Sequence, residues 1–126
     1  MKLWRKTILP VFLAAIWISG SEFVRNELLV KSYWLGHYKK LGLVFPSAPI
    51  NAAVWGVWSF LFAIAVYLIS RKFSLMETAL LSWLVGFVLM WVVVGNLGVL
   101  PYGMLPAAVP LSLLESLIAA VIVKKL

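Results

Sequence analysis

Residues 17–27 read WISGSEFVRNE, and they place polar and charged side chains in an otherwise continuous apolar run. At 3.6 residues per turn, steps of three and four residues mark one face of a helix. That face carries Ala15, Ser19, Glu22 and Asn26. Arg25 stands three residues after Glu22, where the two side chains can pair across one turn. The stretch therefore predicts a helix whose small and polar face turns toward the interior of a bundle.

The composition predicts that the chain lies in a lipid bilayer. Of its 126 residues, 64% are hydrophobic and 12% are charged, whereas soluble domains contain about 25% charged residues. A soluble core of this size could not bury so much apolar surface, so the surrounding solvent must be lipid. The net charge of +7 sits in short clusters beside apolar runs. That arrangement is typical of membrane topology and excludes nucleic acid as a partner.

Cysteine and histidine usage restricts the chemistry further. The chain has no cysteine, which excludes disulfides, thiolate metal sites and cysteine nucleophiles. With a single histidine, a histidine-rich metal centre is unfavoured. We therefore expect neither a metal nor a cofactor.

Four apolar segments predict four membrane-spanning helices in a single integral membrane domain, residues 1–126. We place these helices at approximately 7–31, 52–70, 75–97 and 104–123. The last three have the ~20 residues that a span requires, whereas the first is short unless it continues through the quoted stretch. The predicted fold class is an all-α membrane protein, a bundle of four transmembrane helices.

The first segment also has an alternative interpretation. A basic start, an apolar run and the small residues Ser19-Gly20-Ser21 are typical of a cleaved signal peptide. We interpret the segment instead as a first helix that continues to about Lys31.

The basic residues predict the orientation. With four spans, both termini and the Arg71-Lys72 turn share one side, which has seven Lys and Arg residues against four on the other. The positive-inside rule then places both termini in the cytoplasm, in what we expect to be a bacterial inner membrane. On the opposite side, aromatic residues alternate with cations from Tyr33 to Lys40. This pattern predicts an amphipathic segment that lies on the outer headgroups between the first two spans.

The later helices carry faces that match the first one. The fourth helix has small residues at four-residue spacing with an acid beside them: Ser112, Glu115, Ser116 and Ala120. The third helix has a shorter version of this pattern: Ser82, Gly86 and Asn96. Such spacing lets two backbones approach closely. At ~1.5 Å per residue, Glu115 lies about 16 Å from Met104, near the bilayer midplane. An unpaired carboxylate there costs about 2.5 kcal/mol or more, so Glu115 must face protein or water.

Two helix starts carry capping signals. Ser74 and Glu77 have the spacing of a capping box at the start of the third helix. Asn51 is a predicted N-cap for the second.

Two sets of candidate site residues follow from these patterns. The binding or coupling candidates are Glu22, Arg25, Asn26, Asn96 and Glu115, and the secondary candidates are His37, Tyr38, Asn51 and Tyr102. Each set has a structural alternative. Glu115 can act solely as a hydrogen-bonded link between helices, and the outer set as an ion-paired lattice that joins the helix ends to residues 32–49.

Transport is the function that these patterns favour, because it requires only polar groups inside a bundle. Glu115 would be the coupling or binding group of a transporter or channel for a small solute or ion. Glu22, Arg25, Asn26 and Asn96 would form an outer vestibule. We expect a homo-oligomer, since four short helices rarely enclose a pathway alone.

Two other functions remain open at this point. The first is a membrane-embedded enzyme or binding protein for a lipid or quinone-like ligand. In it, Glu22 and His37 would exchange protons, and Trp34 and Tyr38 would hold the ligand. Within this alternative, an enzyme is less favoured than a binding protein, because no nucleophile–base pair or cofactor motif is visible. The second is an accessory subunit whose polar stripe docks a larger membrane protein.

Overall fold

The computed structural model describes residues 2–126, which form five helices and the turns between them. Four of the helices are long and apolar enough to cross a membrane: α1 (Trp4–Leu29), α3 (Pro49–Ser70), α4 (Leu75–Asn96) and α5 (Tyr102–Lys125). The fifth, α2 (Lys31–Lys40), is short and lies between the first two spans. The predicted all-α, four-span fold class is therefore confirmed.

The chain bends sharply between α1 and α2. Val30 leaves the helical conformation, with φ −119° and ψ 10°, so α1 ends at Leu29 and α2 starts at the next residue after the bend. The Val30 side chain is buried against Leu100 and Met104, which belong to the connection between α4 and α5 and to the start of α5. This small apolar cluster holds α2 across one end of the bundle, which we call the α2 end.

α5 contacts all three other spanning helices, as α3 also does. It packs against α1, α3 and α4, whereas α1 and α4 each pack against α3 and α5 and lie diagonally opposite each other. The predicted small-residue face of α5 is buried throughout: Ser112, Glu115, Ser116, Ala119 and Ala120. Because lipid tails are as apolar as the core, close packing of small residues is what favours helix association in a bilayer.

Two wide turns change which residues lie on the buried faces of α1 and α4. Leu84–Val88 in α4 and Val24–Leu29 in α1 close hydrogen bonds from residue i to i+5 instead of i+4. Such a turn contains one extra residue, which rotates everything after it by about 100°. Asn96, predicted to share an inward face with Ser82 and Gly86, follows the wide turn of α4 and is exposed.

The inward face of α1 is also displaced slightly from its predicted position. Ala15, Glu22 and Asn26 are buried, but Ser19 is exposed. The buried face is centred on Ile18, which is fully buried, and Ser19 stands about 100° around the helix from it. The prediction for Ser19 was therefore wrong.

The helix starts follow local chemistry. The capping box is confirmed, since Ser74 Oγ accepts from the Glu77 N–H at 3.3 Å and Glu77 Oε1 accepts from the Ser74 N–H at 3.0 Å. Asn51 is not the N-cap. The helix begins earlier, at Pro49, because proline is well suited to the first helical position. Asn51 Oδ1 instead accepts from the Ala48 N–H at 3.0 Å from inside the first turn.

A seam of aromatic rings joins α3 to α4. Phe62 stacks on Trp58, with ring centroids 5.0 Å apart, and meets the edge of Phe87 at 5.5 Å. Phe62 also lies directly against Gly86, where an added Cβ would be 2.4 Å from its Cε1 atom. Because the Phe62 ring is held by its neighbours, α3 and α4 can pack this closely only with glycine at position 86.

We predict that Gly86→Ala destabilises the protein by about 1–3 kcal/mol, because the added methyl group forces the aromatic seam apart. The matched control is Gly56→Ala on α3, where an added Cβ meets no atom within 4 Å. That change is expected to be neutral or stabilising by up to about 1 kcal/mol. Thermal unfolding in dodecyl maltoside, followed by circular dichroism, measures both. Equal midpoints for the two variants would contradict the packing at Gly86.

Candidate functional site

Arg25 joins the two acids that the sequence places in separate sites. Its NH2 group donates to Glu22 Oε2, one turn away on α1. Its NH1 group donates to Glu115 Oε1 on α5, at 3.4 Å. The exposed fractions of Glu22, Arg25 and Glu115 are 5%, 6% and 0%, so the group is shielded from the surroundings of the bundle. We call these three residues the ionic cluster.

Asn26 and Trp34 extend the ionic cluster to α2. Asn26 Nδ2 donates to Glu22 Oε2 at 2.8 Å and to the Glu22 carbonyl at 3.1 Å. Its Oδ1 accepts from Trp34 Nε1 at 3.2 Å. The wide turn Val24–Leu29 makes this possible, since it holds the neighbouring residues Arg25 and Asn26 in buried positions. A continuous chain of hydrogen bonds thus runs from α2 through α1 to α5.

The ionic cluster contains more acidic than basic groups. Two carboxyl groups share one guanidinium, and Glu115 Oε2 has no hydrogen-bond partner among the described residues. The Arg25 guanidinium also lies over the Phe87 ring of α4, 5.1 Å from its centroid. Arg25 is therefore in contact with α5 and with α4, across the diagonal of the bundle. Buried charges are retained only where such partners offset the cost of leaving water.

Two indole groups fix α5 near this cluster. Trp17 Nε1 of α1 donates to the Glu115 backbone carbonyl at 3.0 Å. Trp83 Nε1 of α4 donates to Ser112 Oγ at 2.9 Å. α5 is thus held by α1 at position 115 and by α4 one turn earlier, so the Glu115 carboxyl group is oriented by its backbone as well as by Arg25.

A cavity of about 450 Å³ opens between the ionic cluster and α2. Its polar end is formed by Glu22, Arg25 and Asn26, with Asn51 also in the wall. The rest of the wall is mainly aromatic and apolar: Trp34, Tyr38, Phe45, Pro46, Val54, Trp55, Trp58, Met90, Trp91, Val94, Val99, Met104 and Ala108. We call this space the aromatic cavity.

A second cavity, of about 490 Å³, lies between α1 and α5. Its wall is apolar apart from Ser21, Arg25 and the indole of Trp17, and it includes the exposed side chains Ile16 and Leu114. Arg25 lines both cavities. Its side chain therefore stands between the aromatic cavity and this lateral groove.

The secondary candidates divide into two groups. Tyr38 and Asn51 line the aromatic cavity. His37 and Tyr102 lie outside its wall: His37 Nε2 donates to the Gly98 carbonyl at 2.8 Å, and the Tyr102 hydroxyl donates to the Gly95 carbonyl at 3.1 Å. Both bonds tie the α2 end together. The cavity thus brings Glu22 and Tyr38 to one space but leaves His37 and the exposed Asn96 out of it.

Several cavity residues were not among the sequence candidates. Trp55, Trp58 and Trp91 belong to helices that carry no charge in their middle, and interfacial tryptophans are common in membrane proteins. The spacing of Trp55 and Trp58, three residues apart on one face, is the signal that could have identified a shared surface. Which helix that surface meets is not encoded in the spacing.

The described residues contain no group of three His, Asp or Glu side chains arranged to hold a metal ion. Comparison of the chain with protein-family models, curated proteins and solved structures finds no match. The arguments for function therefore rest on the geometry of this molecule.

We predict that Arg25→Gln destabilises the protein by about 3–5 kcal/mol, because it leaves two buried carboxylates without a cation. Glu115→Gln should cost less, since Arg25 keeps its bond to Glu22. The double variant Glu22→Gln, Arg25→Gln should be more stable than Arg25→Gln alone. Unfolding of purified protein by increasing fractions of dodecyl sulfate in a mild detergent measures this order.

Lys31→Gln is the control for that series. Lys31 pairs with Glu27 at 2.9 Å, but its side chain is 40% exposed, so the change should cost under about 1 kcal/mol. If Arg25→Gln were no worse than Lys31→Gln, the ionic cluster would not be a buried, coupled unit.

Proposed function

We propose that this protein binds a small amphipathic molecule in the aromatic cavity. The apolar body of the molecule would lie among the rings, and its polar group would lie at Glu22 and Asn26. One observation carries the proposal: a cavity of about 450 Å³ with an aromatic wall and a single buried polar end. Small-molecule sites are typically clefts of ~300–1,000 Å³, apolar with a few placed polar groups.

The position of the ionic cluster supports binding over a purely structural role. A cluster that only links helices is best sealed inside the core, where nothing competes for its hydrogen bonds. Here Glu22, Arg25 and Asn26 are buried from the surroundings and yet form the end of a cavity. A molecule in that cavity would meet their polar atoms directly.

The cavity wall also supports entry from the membrane. Val54 of α3 and Met90 of α4 line the cavity, and they are 58% and 40% exposed, so the cavity is open at these residues. An apolar molecule dissolved in the bilayer can therefore reach the space between α3, α4 and α2. With the predicted orientation, this entrance lies in the outer leaflet.

Transport is the second candidate function, and one observation favours it. Arg25 lines both the aromatic cavity and the lateral groove, so a change in its position would join the two spaces. Glu115 would then act as the coupling group, in the homo-oligomer that the sequence predicts. The accessory-subunit interpretation has less support, because the small-residue face of α5 already packs inside its own bundle.

Binding is tested with 4-bromobenzyl alcohol, an amphipathic molecule whose bromine quenches nearby indole fluorescence. We expect saturable quenching by the wild-type protein in dodecyl maltoside. Val54→Phe should weaken it about tenfold, because the added ring occupies the cavity. Val57→Phe is the matched control, since Val57 is equally exposed on α3 but does not line the cavity. The same affinity in both variants would exclude the aromatic cavity as the site.

Transport is tested in proteoliposomes that contain a pH-sensitive dye. A coupling role for Glu115 predicts proton movement down an imposed gradient, and Glu115→Gln should reduce it in a protein that remains folded. Unchanged proton movement in that variant would rule out the coupling role.

A further inference from the structure

We infer that the ligand of the aromatic cavity is a small organic monocation with an apolar body. This inference rests on the proposed binding function and names its ligand class. Two independent features carry it: the charge of the ionic cluster and the electronic character of the cavity wall.

The charge of the ionic cluster favours a cation. Glu22 and Glu115 supply two carboxyl groups, and Arg25 supplies one guanidinium, so the cluster has one acid more than it has bases. The groups are buried, and the attraction between charges is much stronger there than in water. The second acid is neutral only while it carries a proton, and a ligand with one positive charge beside Glu22 would take the place of that proton.

Arg25 does not reverse this preference. Its NH1 group donates one hydrogen bond to Glu115 and its NH2 group one to Glu22, and its planar face rests on Phe87. An anionic ligand at the remaining N–H groups would compete with the Glu22 and Glu115 carboxyl groups for the one positive charge. A cation faces no such competition at Glu22.

The wall of the cavity favours a cation as well. Six aromatic rings line it: Trp34, Tyr38, Phe45, Trp55, Trp58 and Trp91. Phe45 packs with Tyr38 and Trp34 at centroid distances of 5.1 and 5.6 Å, so three of these rings form a continuous surface. The face of an aromatic ring carries partial negative charge, and rings grouped around a cavity bind quaternary ammonium groups.

No other charge in the wall opposes a cation. Among the described residues that line the cavity, Glu22 and Arg25 are the charged ones. α3 and α4 contribute neutral side chains, and α2 contributes Trp34 and Tyr38, whereas Lys39 and Lys40 of α2 are exposed. The field inside the cavity is therefore set by the ionic cluster and the rings.

The test compares three probes of similar size and different charge: 4-bromobenzyltrimethylammonium, 4-bromobenzyl alcohol and 4-bromobenzoate. Each quenches indole fluorescence through the same bromine atom. In dodecyl maltoside, we expect the cation to bind at least about tenfold more tightly than the alcohol, and the anion most weakly. Val54→Phe should weaken binding of the cation, and Val57→Phe should not.

Glu22→Gln identifies the group responsible. It should remove the preference for the cation, so that the cation and the alcohol bind with similar affinities. Glu27→Gln is its control, because Glu27 lies on the same helix, pairs with Lys31 and does not line the cavity. If Glu22→Gln does not fold, the three probes on the unaltered chain and on Val54→Phe still test whether the cavity prefers a cation.

The outcomes separate the two proposals. Equal, Val54-dependent affinities for the cation and the alcohol would overturn the inference and leave the binding function in place. Tightest binding of the benzoate would also overturn it and identify Arg25 as the anchor. If none of the three probes binds in a Val54-dependent manner, both the inference and the proposed function are wrong.

Discussion

A buried guanidinium with two carboxylate partners is the constraint on which the rest of this structure depends. Arg25 cannot be left alone in an apolar bundle, since an unpaired charge there costs several kcal/mol. It pairs within its own helix with Glu22, across to Glu115 of α5, and rests on Phe87 of α4. These three contacts set the rotation of α1 about its axis and the position of α5 beside it. The same residues form the polar end of the aromatic cavity.

The aromatic cavity follows from this arrangement and from the sharp bend at Val30. The bend carries α2 across the end of the bundle, where Trp34 hydrogen-bonds to Asn26 and stands opposite the rings of α3 and α4. α3 and α4 pack tightly at Gly86, and about 450 Å³ remains open between them and α2 nearer the α2 end. In helix bundles, ligand sites are built from side chains on facing helices.

Much of the fold was predictable because its causes are local. A run of about 20 apolar residues spans a bilayer whatever its neighbours are. Buried positions of α5 follow the small-residue spacing of Ser112, Ser116 and Ala120, and the Ser74 capping box needs only four consecutive residues. Asn96 and Ser19 were misplaced for an equally physical reason. Straight 3.6-residue periodicity does not reveal a wide turn, and it does not show where the centre of a buried face lies.

By itself the sequence determined that the chain is a four-span membrane protein with acids, serines and small residues on inward faces. Hydrophobicity and periodicity act over one helix at a time, which is why they could be read directly. Only the tertiary structure decided that Arg25 joins Glu22 to Glu115, a residue 90 positions away, and that rings from α2, α3 and α4 share one cavity. Those outcomes depend on which helices become neighbours, and the neighbours are determined by the packing of all the helices together.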